Sequence, residues 1–115
     1  MWKLVCAAAV LWLTAAGQAL AYSDKQMTVM SYLGQAIAGT KICSKLEISE
    51  GEVAVMIAVY KIDLGDPTVA AVIRSKVDET VGAWAGKGED LACAGALILY
   101  GPSGSSTPGL LHIKD

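Results

Sequence analysis

The sequence predicts an all-α fold: a small four-helix (or three-to-four-helix) bundle, held by one disulfide and followed by a flexible C-terminal tail. Three observations predict it. Helix-start signals recur along the chain, and each precedes apolar residues at three- and four-residue steps. Two cysteines lie fifty positions apart beyond the first segment of the chain. Residues 102–109 are made of Pro, Ser, Gly and Thr, a composition that builds no core.

The first 21 residues are typical of a cleaved secretory signal peptide. Lys3 supplies a positive charge, residues 4–16 form an uncharged and mostly apolar run, and residues 19–21 match the small-x-small cleavage pattern. The mature chain would then begin at Tyr22 and reside in the periplasm or be secreted, where disulfides persist. No later apolar run approaches the roughly 20 residues that span a bilayer, so we predict no transmembrane anchor after signal cleavage.

Cysteine usage predicts one covalent cross-link. Cys6 lies in the apolar run of the signal and is removed with it. Cys43 and Cys93 remain, and in an oxidising compartment the simplest interpretation is a disulfide between them. Closing a loop of this length stabilises the fold by roughly 4 kcal/mol in the chain-entropy model. In a mature chain of 94 residues, such a gain rivals the net stability of the domain.

A helical domain is predicted over residues 22–101. The first helix, residues 24–38, starts at a capping box of Ser23 and Gln26 and ends at Gly39. Its apolar stripe includes Met27 and Met30, which either belong to the core or form an adaptable binding face.

The second helix is ambiguous, because residues 53–60 are rich in β-branched side chains that favour a strand. The capping pattern from Ser49 to Glu52 and the helical spacing of the apolar residues favour a helix that stops at Gly65. We choose the helix. Because it is apolar on all sides, we expect it to be the buried central one.

Asp66 and Pro67 are good first residues for a third helix, whose apolar stripe runs to Trp84. Trp84 either fills the core or lines a small-ligand pocket between helices. A fourth helix over residues 91–100 follows Glu89 and Asp90 and ends at Gly101.

Residues 102–115 are predicted to be a flexible C-terminal tail. Residues 102–109 resemble a linker, and residues 110–115 either fray or dock as an added strand on the domain or on a partner. His112, the one histidine of the chain, lies in this tail. We therefore expect it to be exposed and a poor candidate for a catalytic base or metal ligand.

Composition argues against several classes of function. Residues 22–115 carry eight Lys and Arg against eleven Asp and Glu, a formal charge of −3, which does not suit a nucleic-acid partner. The spacing of Cys and His predicts no metal site, and no glycine loop has phosphate-binding spacing, so no cofactor is predicted. Carboxylates that could serve a small enzyme occur at Glu47, Glu50, Glu52, Asp63 and Asp66.

In layout and cysteine separation, the chain resembles the small periplasmic helical proteins, among them acid-stress chaperones of the HdeA type. The sequence thus predicts a small exported, non-catalytic binding or interaction module that engages an unknown protein or lipid-like partner through an apolar helix face. Candidate residues for that face are Met27, Met30 and Trp84. The alternatives are a periplasmic chaperone of the acid-stress type and a small carboxylate-dependent enzyme.

Overall fold

The computed structural model describes residues 22–115, so the predicted signal peptide lies outside the described residues. Four helices and two short strands follow one another in the order α1, β1, α2, α3, α4, β2. Their bounds are α1 Asp24–Ile42, β1 Leu46–Ile48, α2 Glu50–Tyr60, α3 Pro67–Trp84, α4 Glu89–Tyr100 and β2 Leu111–Ile113. The predicted fold class, four helices with one disulfide, is confirmed.

The central helix is α1. The predicted capping box at its start is present: the Ser23 hydroxyl accepts from the Gln26 N–H at 3.1 Å, and the Gln26 side chain accepts from the Ser23 N–H at 2.9 Å. α1 runs through Gly39 to Ile42 instead of ending at Ala38. A Cβ at Gly39 would lie only 2.9 Å from a methyl carbon of Leu111, so there is no room for a side chain at this position of the helix.

The α2 segment is a helix, as predicted, but the expectation that it is the buried centre is wrong. None of its residues is fully buried. The small residues of α1 let α3 approach closely, and α2 lies to one side of that pair. α2 also ends before Gly65, at Tyr60, because Lys61 adopts the left-handed conformation (φ 55°) that terminates a helix.

The other helix-boundary predictions agree with the structure to within two residues. Asp66 caps α3 by accepting from the Thr68 N–H at 2.8 Å, and Pro67 is the first helical residue. α4 begins at Glu89 and ends at Tyr100, with Gly101 as its C-cap. Within residues 22–115, no helix is both long and apolar enough to cross a membrane.

The predicted disulfide between Cys43 and Cys93 is present, with 5.1 Å between the Cα atoms. It joins the end of α1 to the start of α4. Beside it, the Ser44 hydroxyl donates to the Glu89 carboxylate at 2.7 Å. A structural disulfide points to an oxidising compartment.

The C-terminal segment is docked on the domain, which corrects the predicted flexible tail. β2 pairs antiparallel with β1, and Leu110 and Leu111 are fully buried in the core. The preceding loop is held by backbone hydrogen bonds, including one of 2.8 Å from the Gly109 N–H to the Gly101 carbonyl. The free energy gained by burying the two leucines offsets the conformational entropy lost when the Gly- and Ser-rich loop is ordered. The composition of the loop alone does not reveal this gain.

Candidate functional site

An exposed apolar helix surface lies on α2. Val55 and Val59 are four residues apart, so they share one face, and they are 58% and 64% exposed. Ala54 and Ala58 are exposed beside them. We call these four residues the α2 face. The acidic residues of α2, Glu50 and Glu52, are confined to its first turn, so the face itself carries no charge.

The three residues predicted to form a binding face do not lie together. Met30 is fully buried and belongs to the core. Met27 is partly exposed near the start of α1. Trp84, at the end of α3, lines a cleft that also involves Gly39. Met27 and Gly39 are separated by about 18 Å along α1 at 1.5 Å per residue, so the methionine and the tryptophan serve different surfaces.

The cleft at Trp84 lies between α1, α3 and α4 and has a volume of about 300 Å³. The Trp84 ring packs so closely on Gly95 that a Cβ there would lie 2.7 Å from it. The Lys87 ammonium lies 5.4 Å from the ring centroid. Trp84 is thus a wall of a cleft, which is one of its two sequence-based interpretations.

One side of this cleft is polar. The Tyr100 hydroxyl donates to the Gln35 side-chain carbonyl, which leaves the amide N–H groups of Gln35 for another acceptor. Burial, with a smaller effect from Tyr32, raises the pKa of Tyr100 to about 12. The tyrosine therefore remains a neutral donor at physiological pH.

A hydrogen-bonded row of Glu47, His112 and Ser49 lies where β1 meets β2. Glu47 and His112 are paired across the two strands, and Ser49 is two residues beyond Glu47, so all three project from the same side. The His112 Nε2 lies 2.7 Å from the Glu47 carboxylate, and its Nδ1 lies 2.7 Å from the Ser49 hydroxyl. The structure thus positions a histidine that was expected to be mobile.

The chemistry of the row fixes the direction of its hydrogen bonds. An ionised carboxylate only accepts, so Nε2 carries the proton that faces Glu47. In the neutral imidazole, Nδ1 is then an acceptor, and the Ser49 hydroxyl donates to it. Sequence reasoning missed this row. The available signal was the apolar–polar–apolar alternation that Leu46–Ile48 and Leu111–Ile113 share, which is typical of strands.

Two of the other predicted carboxylates, Asp63 and Asp66, stabilise backbone groups. Asp63 accepts from the Gly65 N–H at 2.9 Å, and Asp66 caps α3. Glu89 approaches both cysteines, but these are joined to each other and offer no thiolate to a metal ion. The Ser44 hydrogen bond lowers the pKa of Glu89, which keeps it charged at the start of α4.

Comparison with protein-family models, with curated proteins and with solved structures finds no match to this chain. The functional argument therefore depends on the three surfaces described above.

Proposed function

We propose that this chain is an exported interaction protein, periplasmic or secreted, that binds an apolar protein surface through the α2 face. The observation that carries the proposal is the exposure of Val55 and Val59 on a helix with no fully buried residue. An apolar helix face gains free energy when it is removed from water, at about 25 cal/mol per Å². A complex in which the partner covers both valines would be stabilised by this gain.

The chemistry of α2 favours a protein partner over a membrane. Helices that lie on anionic lipid carry Lys and Arg along the edge of their apolar face. α2 instead carries Glu50 and Glu52, which such a surface would repel. The small side chains of Ala54 and Ala58 beside the valines would allow a partner helix to approach closely.

The test is a double substitution, Val55→Glu with Val59→Glu, because glutamate keeps the helix while it charges the face. The matched control is Ile98→Glu, since Ile98 on α4 is 66% exposed. Sedimentation velocity and native mass of the protein from its producing cell would report any complex, including a dimer. We expect the complex to be lost in the double variant and kept in the control.

Two results would count against this interface: a complex that survives the double variant, or equal loss in the control. Binding to zwitterionic or anionic vesicles that the double variant abolishes would identify the lipid-like partner instead. Binding that occurs only near pH 3, together with suppression of client aggregation, would identify the chaperone alternative.

The cleft at Trp84 supports a second candidate function, the binding of a small aromatic molecule. It combines an indole wall with the side-chain amide of Gln35, whose N–H groups would orient a carbonyl oxygen. Benzamide is a suitable probe, and the difference in fluorescence between the protein and its Trp84→Phe variant isolates the signal of the cleft. Saturable quenching that Gln35→Leu weakens supports this function, and quenching that is linear in probe concentration opposes it.

A further inference from the structure

The row of Glu47, His112 and Ser49 has the order of groups that activates a serine nucleophile. We infer that Ser49 is an acyl-accepting nucleophile, with His112 as its general base and Glu47 as the residue that orients the histidine, and that the site hydrolyses small acyl esters. This activity is separate from the proposed binding through the α2 face.

The distances within the row suit general-base catalysis. A base must lie within about 2.6–3.2 Å of the atom whose proton it takes. The Ser49 hydroxyl and His112 Nδ1 meet this condition at 2.7 Å, and Nε2 meets the carboxylate at the same distance. The Ser49 N–H donates to the Leu110 carbonyl at 2.8 Å, so the backbone that carries the serine is fixed to the segment that carries the histidine.

The Ser49 side chain is directed at His112 and not at the helix that it precedes. It occupies the N-cap position of α2, where a serine hydroxyl ordinarily accepts from a backbone N–H of the first turn. Here no side-chain capping bond forms, because the hydroxyl is directed at His112. The first-turn N–H groups of Gly51 and Glu52 thus receive no cap from Ser49, and in the inferred reaction they would donate to the developing oxyanion.

The row is accessible from solvent. The His112 side chain is 40% exposed and that of Glu47 is 48% exposed, so a substrate reaches the row from solvent. A Cβ built on Gly51 would meet no atom within 4 Å, so the backbone two residues after the partly exposed Ser49 faces open space. Glu47 belongs to the row, and Glu50 and Glu52 lie in the first turn of α2 directly after Ser49, so this end of the helix is acidic. The substrates that fit are therefore uncharged or cationic esters.

The reaction balances with water as the second substrate. The Ser49 oxygen attacks the ester carbonyl carbon while its proton passes to His112 Nδ1. The protonated histidine then donates to the leaving alkoxide, which departs as the alcohol and leaves an acyl group on Ser49. Water, deprotonated by the same nitrogen, attacks the acyl group, and the carboxylic acid departs as the serine oxygen regains the proton.

The test uses the disulfide-bonded protein from its producing cell and two probes. A fluorophosphonate should add one adduct, which peptide mapping places on Ser49. With 4-nitrophenyl acetate as substrate, Ser49→Ala should lower the hydrolysis rate by about 100-fold or more, the scale of general-base catalysis. Ser106→Ala is the control, because Ser106 is exposed and outside the row. Glu47→Gln should lower kcat and leave KM unchanged, as expected of a positioning residue.

Absence of an adduct on the unmodified protein would overturn the inference, and so would labels scattered over several serines. Hydrolysis that persists in Ser49→Ala but is lost in His112→Gln would show that the imidazole attacks alone. None of these outcomes depends on Val55 or Val59, so failure here leaves the proposed binding function intact.

Discussion

The hydroxyl of Tyr22 donates to the carboxylate of Asp66, the residue that caps α3. One Asp66 oxygen accepts from Tyr22, and the other accepts from the Thr68 N–H. The first described residue is thereby connected to the start of a helix 44 residues later. This bond is the largest cause that lowers the pKa of Asp66, and it raises the pKa of Tyr22 to about 12.

Removal of the Tyr22 hydroxyl should raise the pKa of Asp66. In Tyr22→Phe, the carboxylate keeps its bond to Thr68 but loses its largest stabilising contact, so its pKa should move up toward the ordinary 3.8. A titration followed by carboxyl-carbon NMR would measure the change. Tyr32→Phe is the control, and an unchanged pKa of Asp66 in Tyr22→Phe would contradict the prediction.

The same pair predicts how stability depends on pH. The folded pKa of Asp66 is lowered, so its contribution is present above pH 3.8 and is lost as pH falls through the folded value. The folded pKa of Tyr22 is raised, so its contribution is present below pH 10 and is lost between pH 10 and about 12. Urea unfolding should be measured across the acidic range of Asp66 and the alkaline range of Tyr22. In Tyr22→Phe, the fall in the free energy of unfolding should be smaller in both ranges. Identical pH profiles for the two proteins would refute this assignment.

Gly34 permits the close approach of α1 and α3. A Cβ there would lie 2.7 Å from the Lys76 Cβ and 2.9 Å from the Ile73 carbonyl oxygen. Gly34→Ala should therefore destabilise the fold by about 1–3 kcal/mol through overpacking. Gly51→Ala is the matched control in open space, where alanine should stabilise the helix by about 0.5–1 kcal/mol. Urea denaturation would compare the two, and equal effects would show that the α1–α3 contact is not tight.

The C-terminal strand should contribute to stability as a core element. Leu111 is fully buried, whereas Ile113, two residues later in β2, is 59% exposed. Leu111→Ala should lower the free energy of unfolding by about 2–5 kcal/mol, and Ile113→Ala should change it by no more than about 0.5 kcal/mol. Thermal unfolding followed by circular dichroism would measure both. A small effect at Leu111 would mean that the segment frays in solution.

Reduction of the Cys43–Cys93 disulfide should weaken the whole domain. The bond closes a loop of fifty residues, and its loss should lower the free energy of unfolding by roughly 4 kcal/mol in the chain-entropy model. Denaturation with and without a phosphine reductant would show this, and thiol counting would confirm complete reduction. An unchanged denaturation midpoint after full reduction would contradict it.

Local signals were sufficient to predict the helices. The capping box at Ser23 and the Asp66–Pro67 start act within one helical turn, and both occur in the structure as the sequence predicts. The disulfide could be predicted because Cys43 and Cys93 are the two cysteines of residues 22–115.

The missed features depend on contacts between distant residues. α2 is rich in apolar residues, yet the glycines and alanines of α1 make α1 the centre, because small side chains allow neighbouring helices to approach. The row of Glu47, His112 and Ser49 unites residues more than sixty positions apart, and it exists only once β2 has paired with β1. No local pattern around His112 specifies that pairing.

The antiparallel pairing of Leu46–Ile48 with Leu111–Ile113 also determines when the chain can finish folding. During synthesis, α1 to α4 are complete once Tyr100 has emerged, but the core still lacks Leu110 and Leu111. A nascent chain that ends before residue 110 therefore holds an unfilled apolar gap. Completion of the core must wait until those residues have been translated.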